Sequence, residues 1–110
     1  MSLYIQCVIL NVDQNGIVSI GDDVSIAHAV TILAVNHRYD SLDIPIKEQG
    51  IEEGKTIIED NVWIGAKVTI LMNRKVESGA LVAANCVVTK DVKSNTIVGK
   101  NPNSVLKERK

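Results

Sequence analysis

The chain has 110 residues, with 12 lysines and arginines against 13 aspartates and glutamates. A net charge of −1 and a pI near 6.1 offer no basic surface to a polyanion, so nucleic acid is not an expected partner. Ile and Val supply about a quarter of the residues, Phe is absent and aromatics are 3%, which points to one small β-rich domain filled by branched side chains.

Residues 1–19 read as an irregular lead-in coil that ends in "NGIVSI". Its opening "MSLYIQCVIL" has a short apolar run without a basic flank, a poor match to a signal peptide, and is too short to cross a bilayer. No membrane span is expected. Cys7 and, much later, Cys86 stand in aliphatic surroundings without metal-ligand spacing. They read as buried free thiols of a reducing, cytoplasmic compartment.

From Ile20 the chain repeats in sixes. The units IGDDVS, IAHAVT and ILAVNH run from Ile20 to His37, and IEDNVW, IGAKVT and ILMNRK from Ile58 to Lys75. VESGAL, VAANCV and VTKDVK follow from Val76 to Lys93. Every unit opens with Ile or Val, and the fifth position is usually Val, Ala or Cys. A period of six is neither helical spacing nor simple strand alternation. It fits a parallel β-helix whose triangular coils take three units, about 18 residues each. The opening aliphatic residue then points inward and stacks on its equivalent one coil away, while Gly, Asp and Asn occupy the turns. The expected fold is all-β, with about three to five such coils and the repeat proper over 20–93.

The repeat stops once. Residues 38–57 are long for an internal connection, and long ordered loops usually carry function. His37 stands at the root of this loop; from position alone it reads as a surface histidine at a loop start. His28, third in its unit, reads as an outward residue at a turn. Two histidines fall short of a three-histidine zinc site, and no metal is expected. Residues 94–110 complete the last coil, and "SVLKERK" reads as a short charged C-terminal helix that caps the exposed strand edges.

Between about Gly16 and Leu106 these residues resemble the hexapeptide-repeat acetyltransferases. The resemblance is carried by "IEDNVWIGAKVTIL", by "VAANCVVTKDV" with "NTIVGKNP", and by "NH" ahead of the long loop. The loop's "H-x-Y" followed by "PI" and "QG" is most like O-acetyltransferases of sugars and polysaccharides. The resemblance implies that residues 38–57 form a protruding loop that shapes the acceptor site, and it implies a left-handed winding, where the general rule for parallel crossovers gives the right hand. It also implies a homotrimer with active sites between subunits, and acetyl-CoA as co-substrate along each cleft.

Transfer to a sugar hydroxyl needs a base near neutral pKa, which imidazole supplies. The resemblance assigns that role to His37. Asp40 is a candidate to hold the second ring nitrogen, with a backbone carbonyl as the alternative. Trp63 matches a tryptophan near the pantetheine arm, although corner packing or a subunit contact would equally explain it. The Ala84 backbone, Thr89 and Lys90 fall along the implied cofactor path, Lys90 and Lys100 supply charge for phosphates, and Pro102 lies against the adenine. Cys86 has no paired base, so direct transfer is expected.

The chain also departs from the family pattern. Met72, Asn73 and Arg74 replace a Pro-Gly turn and a further Gly, and a charged side chain there requires a bulged or open corner. Asn85 stands for a glycine, where it crowds the approach to the cofactor, and Lys100 alters the turn above the adenine. Two further readings stay open: a non-catalytic β-helix trimer that scaffolds a partner, and an N-acetyltransferase for a nucleotide-linked amino sugar.

Overall fold

The structure, a computed structural model, describes residues 3–5, 8–11 and 15–109. Cys7 and parts of the lead-in lie outside the described residues.

Short strands step from one sheet to the next and return to the first after three steps. Strands β1 (Leu3–Ile5), β2 (Val8–Asn11) and β3 (Ile17–Ile20) make the first circuit. They pair in parallel with β4 (Val24–Ile26), β5 (Val30–Leu33) and β8 (Lys55–Ile58) respectively. Between β5 and β8 the chain leaves the circuit as an antiparallel hairpin, β6 (Val35–His37) with β7 (Ile51–Glu53). Strands β9 (Trp63–Ile64), β10 (Thr69–Ile70) and β11 (Lys75–Val76) continue the three walls. Strands β12 (Leu81–Val82) and β13 (Val87–Val88) follow, with a single bridge from Val92 to Val76. Strand β14 (Thr96–Gly99) then joins the wall of β12.

The period of six arises from what the walls bury. Ile26, Ile32, Ile58, Ile64, Ile70, Val76, Val82 and Val88 are fully buried and open their units, while Val24, Val30, Val62, Val68, Ala80 and Cys86 are the buried fifth residues. Each side chain stacks on its counterpart in the adjacent strand, so one narrow column serves as core throughout. The corners turn sharply enough to need left-handed backbone. Ala29, Lys67, Asn85 and Lys100 have φ of 59, 59, 66 and 70°. They belong to consecutive turns of one corner, where the Lys67 N–H donates to the His28 carbonyl and the Asn85 N–H to the Ala66 carbonyl. At Asn85, asparagine is one of the few residues besides glycine that adopts this conformation readily.

Three expectations need correction. The tail does not form a helix: Ser104–Glu108 is strand β15, antiparallel to β14. Five residues are too few to nucleate a stable helix, whereas β14 offers an open edge of unpaired backbone groups. The excursion is also shifted. It begins at Val35 and ends before Lys55, rather than covering 38–57, because β7 extends the hairpin and Lys55–Ile58 already pairs with the wall. Last, the six-residue spacing contracts after Val88. Val92, four positions on, bridges Val76, although Ile70 and Val76 in the neighbouring strands are six apart.

Candidate active site

The hairpin fixes the position of His37. Its backbone pairs with Ile51, and the Arg38 N–H donates to the Gly50 carbonyl at 3.0 Å. At the base, the Gly54 N–H donates to the Ala34 carbonyl at 2.8 Å, and the buried Thr56 hydroxyl donates to the Leu33 carbonyl at 2.6 Å. His37 therefore rides on a paired strand anchored to the prism, with its side chain exposed. Asp40 is exposed too, and among the described residues neither side chain hydrogen-bonds the other.

Beyond His37 the loop is braced by one residue that the sequence reading passed over. The Gln49 Oε1 accepts from the Ser41 N–H at 3.1 Å, and its Nε2 donates to the Ser41 and Ile44 carbonyls at 2.9 and 2.6 Å. A single amide thus closes a lobe whose outer surface carries Tyr39, Leu42, Ile44 and Ile46, with Leu42 99% exposed. Only the "QG" pairing hinted at it in the sequence.

The corner from which the hairpin departs also holds Thr89 and Lys90. Both backbone N–H groups donate to the Asn103 Oδ1, at 2.8 and 3.1 Å, and the Asn103 Nδ2 donates back to the Lys90 carbonyl. The buried amide substitutes for the next strand and lets the spacing contract there. The Lys90 side chain is exposed and the Thr89 hydroxyl donates to the Asn103 Oδ1 at 3.2 Å. One turn away, Arg74 lies half-buried, donating from Nε to the Met72 carbonyl and from Nη1 to the Thr89 carbonyl. Five residues separate Ile70 from Val76 there, against three between Val88 and Val92. The wider turn leaves room for the guanidinium.

The remaining candidates fall elsewhere. Ala84 is exposed at the adjoining corner, and the Lys100 carbonyl on the same edge accepts from the Cys86 thiol at 3.3 Å. Pro102 is exposed in the turn after Lys100, and its neighbour Asn101 accepts through Oδ1 from the Val87 N–H at 2.6 Å. Trp63 is 58% exposed on the β9 wall, in a shallow groove with Asp23, Asn61, Leu81 and Arg109. The Arg109 guanidinium donates to the Gly79 carbonyl and its backbone N–H to the Asn95 carbonyl, pinning the end of β15 across that groove. The structure thus gathers Thr89, Lys90 and the loop root at one corner. Trp63 lies on a different wall, and one chain alone does not bring it to His37.

Among the described residues no group of three or more His, Cys, Asp or Glu side chains converges to hold a metal. Nor is any helix among them long and apolar enough to cross a membrane.

No protein-family model matches the chain. A Schizosaccharomyces pombe protein provisionally named an acetyltransferase is 36% identical over 97 residues, covering 87% of this chain and 44% of its own. An Escherichia coli protein, provisionally named a lipopolysaccharide biosynthesis O-acetyl transferase, is 32% identical over 98 residues, covering 83% and 50%. The chain thus spans about half the length of these relatives. Among solved structures, a hexapeptide-repeat-containing acetyltransferase of Vibrio cholerae superposes with a TM-score of 0.67 at 26% identity, covering 94% of this chain and 71% of that one. The chain belongs to the hexapeptide-repeat acetyltransferases. A second solved structure of similar build is the S84A mutant of AntD, an N-acyltransferase of Bacillus cereus, in complex with dTDP-4-amino-4,6-dideoxyglucose and coenzyme A. It matches this hexapeptide-repeat chain with a TM-score of 0.79 at 25% identity, over 94% of this chain and 57% of its own.

Proposed function

We propose that this chain is an acetyl-CoA-dependent O-acetyltransferase acting on a hydroxyl of a sugar or polysaccharide unit. The observation that carries the proposal is the one long excursion from the repeat, a hairpin that presents an exposed histidine at a corner shared with Thr89 and Lys90. In this reading the His37 imidazole takes the acceptor proton as the hydroxyl oxygen attacks the thioester carbonyl. The tetrahedral adduct collapses, the C–S bond breaks, and the imidazolium returns the proton to the CoA sulfur. Backbone N–H groups lining the cleft stabilise the oxyanion. No covalent acyl-enzyme is required: Cys86 is buried, and burial holds its thiol above the ordinary range, so the nucleophilic thiolate is disfavoured.

The proposal includes a left-handed winding and a cytoplasmic homotrimer. The separation of Trp63 from His37 supports assembly, because a neighbouring copy could supply the cleft wall that one chain lacks. Trp63, Ala84, Thr89, Lys90, Lys100 and Pro102 then contact the cofactor, Lys90 and Lys100 meeting its phosphates, while Asp40 or a backbone carbonyl orients His37. The likeness to AntD favours a second reading, N-acylation of a nucleotide-linked amino sugar. Acceptor profiling with paired hydroxy and amino sugars separates the two.

The test is acetyl transfer by wild type and His37→Ala across a saccharide panel. Turnover in the variant is expected to fall by about 10²–10⁴-fold with acetyl-CoA binding retained. Equal turnover would remove His37 from the mechanism.

A further inference from the structure

A groove at the foot of the hairpin is lined by Leu33, Asn36, Leu71, Met72, Arg74 and Thr89. Arg74 is the one charged side chain among these, and no carboxylate lines the groove. Arg74 is half-buried as a residue, with Nε and Nη1 donating to the Met72 and Thr89 carbonyls, 3.3 and 3.2 Å away. Nη2 makes no hydrogen bond among the described residues. Two neutral carbonyls hold the planar fork in place but leave its charge uncompensated. A partly desolvated guanidinium is costly without a counter-charge, and its remaining donors match the geometry of an oxyanion.

The location gives the oxyanion a source. Asn36 lines the same groove and directly precedes His37 on β6; side chains alternate across a strand, so the groove and His37 lie on opposite faces of the hairpin, separated by the width of one strand. A saccharide that reaches around the strand edge from His37 can place a second substituent toward Arg74. We propose that Arg74 is a specificity-determining residue that recognises a carboxylate or phosphate group carried by the acceptor. The proposal deepens the reading of His37 as the base on the acceptor side and rests on it. Acceptors are then acidic or phosphorylated saccharides rather than neutral ones.

The test measures binding, so it does not depend on turnover. The His37→Ala protein, ¹⁵N-labelled and held with CoA, which carries no acyl group to transfer, is titrated with methyl galactoside and methyl galacturonate, and separately with glucose and glucose 6-phosphate. The arginine Nε–H signals are followed by NMR. At least one anionic member is expected to bind on the order of 10-fold tighter than its neutral partner, shifting the Arg74 signal. That advantage should vanish in Arg74→Gln, return in part in Arg74→Lys, and shrink as salt is raised. Circular dichroism of both variants establishes that each is folded, and the lysine form keeps the comparison usable if the glutamine form is not.

Equal affinities for neutral and anionic members of both pairs would overturn the proposal. So would an advantage that survives in Arg74→Gln. A third contrary result is an Arg74→Gln variant that loses discrimination between CoA and dephospho-CoA instead, which would assign the guanidinium to the cofactor. If His37 proves dispensable for turnover, the function proposal fails while these titrations still report on Arg74.

Discussion

At the scale of single residues, the narrow column that forms the core leaves little freedom at the corners. An added Cβ at Gly65 would lie 2.8 Å from the Ala84 nitrogen and 3.0 Å from the Val82 carbonyl oxygen, both backbone atoms that cannot swing aside. Gly65→Ala is therefore expected to destabilise the fold by about 1–3 kcal/mol in urea denaturation; an unchanged midpoint would mean that the corner yields. Cys86 gives a second check. Burial raises its thiol, so the folded state holds the proton more tightly than the unfolded chain. Its contribution to stability is full below the unfolded thiol's pKa, about 8.5, and is lost as pH rises through the higher folded value. In a Cys7→Ser background, iodoacetamide should label Cys86 slowly at neutral pH and rapidly in denaturant. Rapid native labelling would contradict the buried placement.

At the scale of elements, the hairpin owes its geometry to two polar side chains at its base and tip. Thr56 donates to the Leu33 carbonyl and accepts from the Asn73 N–H at 3.2 Å, while wholly buried. Thr56→Val would leave both groups without that partner, at a cost of about 1–3 kcal/mol, readable as a lower melting temperature. Gln49 acts on the loop alone. Gln49→Ala should accelerate amide exchange at Ser41 and through 41–48, with little change in the prism. Under the proposed function it should also raise the acceptor KM more than that of acetyl-CoA. Unchanged exchange would show that the lobe closes without Gln49.

The elements also mark what the sequence could convey. A buried Ile or Val recurs every six residues because each must stack on its neighbour, and that requirement is visible in composition and spacing alone. The hairpin was visible as a break, though not its edges, since Ile51–Glu53 pairs with Val35–His37 across thirteen intervening residues. Strand β15 was missed because "SVLKE" acquires its conformation from the open edge of β14. The contraction at Val88–Val92 depends on the Asn103 side chain, whose hydrogen bonds no local pattern reveals. His37 and Thr89 could be singled out only through family resemblance, because a lone histidine or threonine has no chemical signature of its own.

At the scale of the whole molecule, the β-helix is a rigid post with candidate residues distributed over its faces. The hairpin root and the Thr89–Lys90 corner share one edge of the prism while Trp63 lies on another wall, which is why the proposed function calls on a second copy to complete the site. Acetyl-CoA binding is the central claim, and its most direct test is the melting temperature of the purified protein with and without acetyl-CoA, with dephospho-CoA as the control. At about 100 times its Kd, a ligand of the native state alone stabilises by about 2.7 kcal/mol. The account predicts a clear rise with acetyl-CoA and a smaller one without the 3′-phosphate, whereas no shift at millimolar ligand would contradict it and favour a non-catalytic scaffold.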